Sequence, residues 1–265
     1  MKEQTTNSPD INLDFEGYVA IVEICRPPDN YFDAGLIRRL ADIYEELDAD
    51  PVCRAIVQCS RGKHFCAGFQ FNKPHRIAGQ EQTSQAEVKT LYEHALRLYQ
   101  SGKPVVAAVQ GAAIGGGLGL ALVADFRITC AEARFSANFS RLGFHHGFGL
   151  SITLPRLVGH NQANLMLFTG RRIDGETAVS TGLADQLVAK QDVRNTALTL
   201  AAEISQSAPL AVQAIRKTQR QKLLVELPSA IEHELSEQTS LKTTSDFKEG
   251  ISASAERRPP EFSGE

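Results

Sequence analysis

The sequence lacks several features that would point to particular classes of protein. It contains no tryptophan, and a formal net charge of −3 over 265 residues provides no basic surface for nucleic acid or an anionic membrane. Its five cysteines are an odd number without CxxC spacing, so we expect reduced thiols, no disulfides and no metal site. Residues 1–6 are polar and contain no apolar signal-peptide core. These features predict a cytoplasmic protein with neither nucleic-acid nor membrane partners.

One segment, residues 105–126, is nearly uncharged and long enough to span a bilayer. Five glycines, Gln110 and Asp125 make it poorly suited to face lipid, and the sequence has no second segment of this kind. The apolar run over residues 105–109 is followed by the glycine-rich residues 111–119 and a second apolar run. This order predicts a buried strand, a tight turn and the start of a buried helix.

Apolar patterning over the first 190 residues predicts strands that alternate with helices. Such alternation implies right-handed crossovers and a mostly parallel sheet. The later part of the chain instead predicts helices, over residues 197–204, 211–224, 229–241 and 246–256. We therefore predict an α/β core over residues 1–190 and a helical region over residues 191–265.

Two loops rich in small residues begin at predicted strand ends, over residues 63–69 and 111–119. Ligands of parallel sheets gather at the carboxyl ends of the strands. The first N–H groups of the helix after the second loop have no intrahelical partner, so they can face an anion. One N–H group from each loop would form an oxyanion hole. The sequence lacks the motifs of a phosphate-binding P-loop, a dinucleotide site and a serine nucleophile elbow.

The segments HFCAG (residues 64–68) and AVQGAAIGGG (residues 108–117) resemble the two signature segments of the crotonase (enoyl-CoA hydratase/isomerase) superfamily. Nearly the whole chain, from about residue 11 to residue 262, takes part in the resemblance. Further matching segments follow in the right order: ADFRI (124–128), LFTG (167–170), AVSTGLAD (178–185), DFKEG (246–250) and ERRPPEF (256–262).

The resemblance implies an α/β fold with a crotonase-like ββα spiral core, a helical C-terminal trimerisation region, and a homotrimer or dimer of trimers. It implies an acyl-CoA thioester substrate, whose carbonyl oxygen would accept hydrogen bonds from the N–H groups of Phe69 and Gly116. No cofactor is expected beyond the coenzyme A of the substrate. The residues implied to contact coenzyme A or the acyl group are Arg26, Ala67, Gly68, Gln70, Phe71, Asn72, Gly115 and Phe139.

The sequence departs from the superfamily at the expected acidic residues. Hydratases of the superfamily carry one glutamate just after the glycine turn and another in the following strand and loop. The matching positions here are Gly119 and Phe139, and neither side chain can transfer a proton. An aspartate that isomerases and dehalogenases use further along the chain is matched by Gly147. These departures argue against the standard hydratase mechanism.

Two adjacent histidines, His145 and His146, lie in the glycine-flanked segment RLGFHHGFG (residues 141–149). Histidine titrates near neutral pH and suits acid–base catalysis. His146 matches a functional tyrosine of a decarboxylating superfamily member, so we predict it as the catalytic acid–base group, with His145 as the second candidate. The alternative is a loop histidine that caps the next helix or is buried with its nitrogens satisfied.

Three other carboxylates are expected to have no part in the reaction. Asp125 is predicted to be structural because carboxylates at strand ends often cap turns. Glu232 and Glu234 are two residues apart and cannot share one helix face, so both are predicted to be solvated.

Three functions remain open from the sequence. The first is a crotonase-superfamily enzyme that acts through a stabilised enolate, nominally an enoyl-CoA hydratase or isomerase. The second is a decarboxylase or thioester hydrolase, which would act on an acyl-CoA or on an acyl group carried by a carrier protein. The third is a non-catalytic homologue that binds acyl-CoA.

Overall fold

The computed structural model describes residues 9–69 and 85–265. Its strands are β1 (Ile11–Glu16), β2 (Val19–Ile24), β3 (Ala55–Ser60), β4 (Val105–Val109), β5 (Ala112–Ile114), β6 (Phe126–Thr129), β7 (Arg134–Ser136), β8 (Ile173–Asp174) and β9 (Gln186–Leu187). Its helices are α1 (Ala34–Ala49), α2 (Gln85–Gln100), α3 (Gly116–Ala121), α4 (Leu150–Val158), α5 (His160–Thr169), α6 (Gly175–Ser180), α7 (Val193–Ser205), α8 (Pro209–Leu241) and α9 (Ser245–Glu256).

The main sheet has six strands in the order β1-β2-β3-β4-β6-β9. The β1–β2 hairpin is antiparallel, and every other neighbouring pair in this sheet is parallel. Strands β5, β7 and β8 form a small second sheet. The mostly parallel α/β architecture predicted from the alternating pattern is therefore confirmed.

Helix α1 shows how the apolar spacing becomes structure. The side chain of Asp33 accepts a hydrogen bond from the N–H of Leu36 at 2.9 Å, which caps the first turn. Leu36, Leu40 and Leu47 recur on one face and are all buried, and α1 packs against α2.

Helix α8 runs unbroken for 33 residues, so the prediction of two helices ending at 224 and starting at 229 is wrong. Pro228 lies inside the helix, although proline cannot donate a backbone hydrogen bond. Leu227 and Ile231, on either side of it, are both buried. Because α8 packs against α2 and α4, tertiary contacts stabilise the helix in spite of the proline.

A buried ion-pair cluster joins α8 to the sheet. The Oδ2 of Asp125 lies 2.7 Å from Nε of Arg216, and its Oδ1 lies 2.9 Å from Nη1 of Arg220. Burial opposes the ionisation of Asp125, but the two guanidinium groups outweigh it and lower the pKa of the carboxyl. Oδ2 also accepts a hydrogen bond from the N–H of Val105 at 2.9 Å. The predicted structural role of Asp125 is confirmed.

In the part of the chain that the structure describes, no helix has both the length and the apolar character needed to cross a bilayer.

Candidate active site

The two loops rich in small residues lie against each other. The N–H of Cys66 donates to the carbonyl oxygen of Ala112 at 2.9 Å, and the N–H of Ile114 donates to the carbonyl oxygen of Cys66 at 3.0 Å. These bonds form a parallel bridge between Cys66 and Ala113. The first loop is thereby fixed to strand β5, immediately before the glycine turn that begins α3.

Glycine is required where the two backbones meet. A Cβ atom on Gly117 would lie 2.2 Å from the carbonyl oxygen of Cys66. One on Gly68, whose φ is +100°, would lie 2.7 Å from the carbonyl oxygen of Ile114. Gly116 is the first residue of α3, and its N–H group has no acceptor within that helix. The close contact therefore brings the start of α3 beside Gly68.

A cavity of about 720 Å³ opens at this junction, a volume suited to a small-molecule ligand. Its wall contains Ala67, Gly68, Phe69, Gly115 and Gly116, which the sequence predicts to act together. The remaining wall is rich in aromatic rings, from Phe32, Phe139, Phe144, Phe148 and Phe247. The Phe32 ring contacts Phe148, and the Phe144 ring contacts Phe139 and Phe247, edge-on or tilted, with centroids 5.4 to 5.7 Å apart.

Apolar groups surround Gly119 and Phe139, the two positions where the resemblance predicts the glutamates of superfamily hydratases. Phe139 lies on the cavity wall itself. A Cβ on Gly119 would lie 2.6 Å from Cβ of Phe148, so the Phe148 side chain fills the space that a residue-119 side chain would need. The hydroxyl of Tyr99 donates to the carbonyl oxygens of Gly119 and Phe148, at 3.2 and 3.0 Å. Phe148 has a left-handed backbone conformation, with φ of 63°.

The polar side chains of the wall, among the residues described, carry hydroxyl, amide and ammonium groups. They are Tyr31, Tyr92, Asn138, Gln238, Lys242, Lys248, Ser252 and Ser254. The Tyr92 hydroxyl donates to Oε1 of Gln238 at 2.9 Å, and burial raises the pKa of Tyr92, so it stays protonated at neutral pH. Burial also lowers the pKa of Lys242. The sequence analysis missed this set, because its members come from distant parts of the chain and only the tertiary fold brings them together.

His145 and His146 do not belong to the cavity wall. Their rings stack with centroids 4.0 Å apart, and Nε2 of His146 is buried without a hydrogen-bond partner. Burial, together with neighbouring His145 and His233, lowers the pKa of His146 to about 3, so its imidazole is neutral at pH 7. The carbonyl oxygen of His145 accepts a hydrogen bond from Nε2 of Gln238 at 2.9 Å. The structure therefore places the two histidines behind the wall.

Glu234 is fully buried, so the prediction that it is solvated is wrong. Its Oε2 accepts a hydrogen bond from the N–H of Gly149 at 2.8 Å, and its Oε1 accepts from the N–H of Ser151 at 2.9 Å and from the Ser151 hydroxyl. These donors belong to the N-terminus of α4, where backbone N–H groups need an acceptor from outside the helix. Burial raises the pKa of Glu234 in spite of these donors. Glu232 is exposed, as predicted.

The other predicted site residues are placed as follows. Arg26 lies off the cavity wall and pairs with Asp10 at 2.8 Å and with Asp33 at 3.3 Å. Burial raises the pKa of Cys66 to about 12, which leaves a protonated thiol and a weak nucleophile. Gln70, Phe71 and Asn72 lie outside the described residues. Within residues 9–69 and 85–265, no three His, Cys, Asp or Glu side chains form a group that could hold a metal ion.

Comparison with known proteins identifies the family. The enoyl-CoA hydratase/isomerase family profile matches residues 14–265. The chain is 31% identical to a carnitinyl-CoA dehydratase of Proteus mirabilis, over 97% of this chain and 99% of that protein. It is 30% identical to a short-chain-enoyl-CoA hydratase of Clostridium acetobutylicum, over 93% and 94% of the two chains.

A crystal structure of an enoyl-CoA hydratase/isomerase from Pseudoalteromonas atlantica superposes on the chain with a TM-score of 0.86. The two sequences are 27% identical, and the match covers 96% of this chain and 100% of that one. The chain therefore belongs to the enoyl-CoA hydratase/isomerase family, within the crotonase superfamily, and is an enzyme of this type.

Proposed function

We propose that this enzyme binds an acyl-CoA thioester and stabilises the enolate of its acyl group through the backbone N–H groups of Phe69 and Gly116. The observation that carries the proposal is the bridge between Cys66 and Ala113, because it fixes the loop containing Phe69 beside the first residue of α3. Both residues line the cavity. The names of the relatives support the substrate class, since each includes a coenzyme A thioester.

Two backbone donors suit a carbonyl oxygen that becomes an anion during the reaction. They are held rigidly before the charge develops, and a donor of this kind contributes about 3 kcal/mol to transition-state stabilisation. The cavity around them is rich in aromatic rings, and a less polar surrounding strengthens hydrogen bonds to a developing charge. The reaction needs no cofactor beyond the coenzyme A of the substrate.

Proton transfer requires a group other than the two glutamates of superfamily hydratases. Among the residues described, the ionisable groups on the wall are Tyr31, Tyr92, Lys242 and Lys248, whereas His146 lies behind the wall. An acid–base role for His146 therefore requires that its ring reach the cavity. Turnover of the variants Tyr92→Phe and His146→Gln is measured on the same acyl-CoA. The variant that loses turnover shows whether a group of the cavity wall or the histidine transfers the proton.

The proposal is tested by proton exchange at C2 of butyryl-CoA in D₂O, followed by proton NMR. An enzyme that stabilises the enolate releases the C2 proton and returns a deuteron, so the C2 signal decays faster than without enzyme. The thioether analogue of butyryl-CoA, which has no carbonyl group, is the matched control. Binding of butyryl-CoA without exchange would favour a non-catalytic acyl-CoA-binding homologue.

Decarboxylation of a 2-carboxyacyl-CoA is a second candidate, favoured by Phe139 and Phe148 beside the glycine turn. A carboxylate is destabilised in apolar surroundings, and its loss as neutral CO₂ relieves this penalty. The bond between C2 and the carboxyl carbon breaks, its electron pair forms the enolate, and one proton then returns to C2. Release of CO₂ from malonyl-CoA tests this candidate, and thioester hydrolysis is detected in the same assay as free coenzyme A.

We further propose a homotrimer, or a dimer of trimers, formed through the C-terminal helices. Helix α8 carries Leu210, Ile215 and Val225 with 79%, 62% and 75% of their surface exposed, and such apolar groups favour contact with another subunit. Light scattering after size-exclusion chromatography measures the mass directly. A mass of one chain, near 28.9 kDa, would contradict the proposal.

A further inference from the structure

Lys242 places an ammonium group in the wall of the cavity, which is rich in aromatic rings. Helix α8 buries Ile231, Glu234 and Gln238, which are spaced three and four residues apart and so share one face. Lys242 follows Gln238 by four residues, and its N–H donates to the carbonyl oxygen of Gln238 at 3.0 Å. Lys242, the residue that follows the last residue of α8, therefore lies on the same inward face as Gln238. Its side chain lines the cavity.

The ammonium group has no counter-ion within the residues described. Its Nζ lies 6.0 Å from the centroid of the Phe144 ring, and no carboxylate of the described chain forms an ion pair with it. Burial lowers the pKa of Lys242, and no charged neighbour counteracts this effect. A half-buried cation without an anion is unfavourable, so an anionic ligand group would gain both attraction and hydrogen bonds there.

The position of Lys242 indicates which part of a ligand would reach it. The Phe144 ring contacts the Phe139 ring with centroids 5.4 Å apart. The Phe139 ring in turn lies 3.7 Å from the place where a Cβ on Gly115 would be. Two aromatic rings therefore lie along the wall between the ammonium group and the glycine turn. An anion on Lys242 would be remote from a thioester carbonyl held at that turn.

We propose that Lys242 is a specificity residue that selects acyl-CoA thioesters whose short acyl chain ends in a second carboxylate. This inference rests on the proposed function, because it takes the thioester carbonyl to lie at Phe69 and Gly116. The distal carboxylate pairs with the Lys242 ammonium group, while the methylene groups between the two ends contact the aromatic wall. The substrate class is thus the monothioesters of dicarboxylic acids.

The test compares glutaryl-CoA with glutaramoyl-CoA, in which a neutral carboxamide of nearly the same shape replaces the distal carboxylate. Dissociation constants are measured by titration calorimetry for the wild type and for Lys242→Met, Lys242→Arg and Lys222→Met. Lys222 is an exposed residue of α8 and serves as the matched control. We expect the wild type and Lys222→Met to bind glutaryl-CoA about tenfold more tightly than the amide, as for a partly buried charge pair. Lys242→Met removes this preference, and Lys242→Arg retains most of it.

An unchanged preference in Lys242→Met would overturn the inference. An equal loss of affinity for both thioesters would also overturn it, because Lys242 would then bind the coenzyme A part that the two ligands share. Neither result affects the proposed function, which the exchange of the butyryl-CoA C2 proton tests without a distal carboxylate. If the wild type bound no thioester at all, the proposed function itself would fail. The failure of the specificity role and the failure of the proposed function are therefore distinguishable.

Discussion

The cavity is bounded by two regions that are built differently. On one side, residues 64–69 and 111–119 meet through backbone hydrogen bonds, and glycines permit contacts that a Cβ would prevent. On the other side, α8 directs the side chains of Glu234, Gln238 and Lys242 toward the cavity and the loop beside it. The first region, which we call the glycine loops, offers main-chain donors. The second, which we call the α8 face, offers side-chain groups that substitution can change.

This difference suggests a division of roles. Backbone N–H groups cannot be altered by ordinary substitution. The glycine loops therefore suit binding of the thioester carbonyl, the group that all acyl-CoA substrates share. The side chains of the α8 face can be exchanged without moving the main chain, so they suit the choice of acyl group. Substitutions in the two regions should accordingly have different effects.

The largest effect is expected in the glycine loops, for Gly117→Ala. The new Cβ would meet the carbonyl oxygen of Cys66 at 2.2 Å, and a backbone atom cannot move aside as a flexible side chain can. The two loops must therefore separate, and the loss of one oxyanion-hole donor lowers turnover by about 100-fold or more. Turnover of acyl-CoA and thermal unfolding are measured together.

Gly17→Ala is the matched control for this substitution. Gly17 has a positive φ, of +60°, and nothing lies within 4 Å of its Cβ position. Backbone strain there should cost about 1 kcal/mol of stability and leave turnover unchanged. Equal turnover for Gly117→Ala and Gly17→Ala would contradict the claim that close contact between the two loops is needed to form the oxyanion hole.

A smaller effect, on stability, is expected at the α8 face for Glu234→Ala. The substitution leaves the N–H groups of Gly149 and Ser151 without their acceptor in a buried place. Unsatisfied buried donors of this kind should lower the free energy of unfolding by about 2 kcal/mol, measured by urea denaturation. Glu232→Ala removes an exposed carboxylate from the same helix and should change stability by less than about 0.5 kcal/mol. Similar losses for both variants would show that the Glu234 carboxylate does not anchor α4.

A separate effect, seen only on acidification, is a pH dependence that originates behind the wall, at His146. Its pKa is lowered from 6.5 to about 3 in the folded protein, so the unfolded chain binds the extra proton more readily. The neutral imidazole therefore contributes its full stability above pH 6.5, and this contribution is lost as the pH falls toward 3. The loss has a limiting slope of about 1.4 kcal/mol per pH unit.

Stability of the wild type and His146→Gln is compared between pH 7 and pH 4. We expect the wild type to lose more stability on acidification than this variant does. His160→Gln, which replaces an exposed histidine at the start of α5, should follow the wild type. Parallel curves for wild type and His146→Gln would contradict the buried, neutral state of the imidazole.

The glycine loops could be predicted from the sequence, whereas the α8 face could not. Glycines between an apolar strand and a helix predict a tight turn that exposes backbone N–H groups, and the resemblance to the superfamily assigned Gly116 and Phe69 as the two donors. Glu234 and Gln238 are polar residues at buried helix positions, and a helical pattern alone assigns such residues to solvent. Their partners, Ser151 and His145, lie 83 and 93 positions away in the chain. Only the tertiary fold reveals these pairs.

Two features of the fold differ in the same way in whether the sequence predicts them. The parallel sheet was predictable because strand and helix periods alternate along the chain. The continuity of α8 was not, because Pro228 breaks the local pattern while long-range contacts with α2 and α4 maintain the helix.

The most direct test of the oxyanion hole is the carbonyl stretching frequency of bound butyryl-CoA labelled with ¹³C at the thioester carbon. Isotope-edited infrared difference spectra compare the ligand on the wild type with the ligand in water. We predict that the band moves to lower frequency on the wild type, because hydrogen bonds from Phe69 and Gly116 polarise the carbonyl group, and that this shift is lost in Gly117→Ala. A band at the frequency found in water, with the site saturated by ligand, would contradict the proposed enolate-stabilising role of the glycine loops.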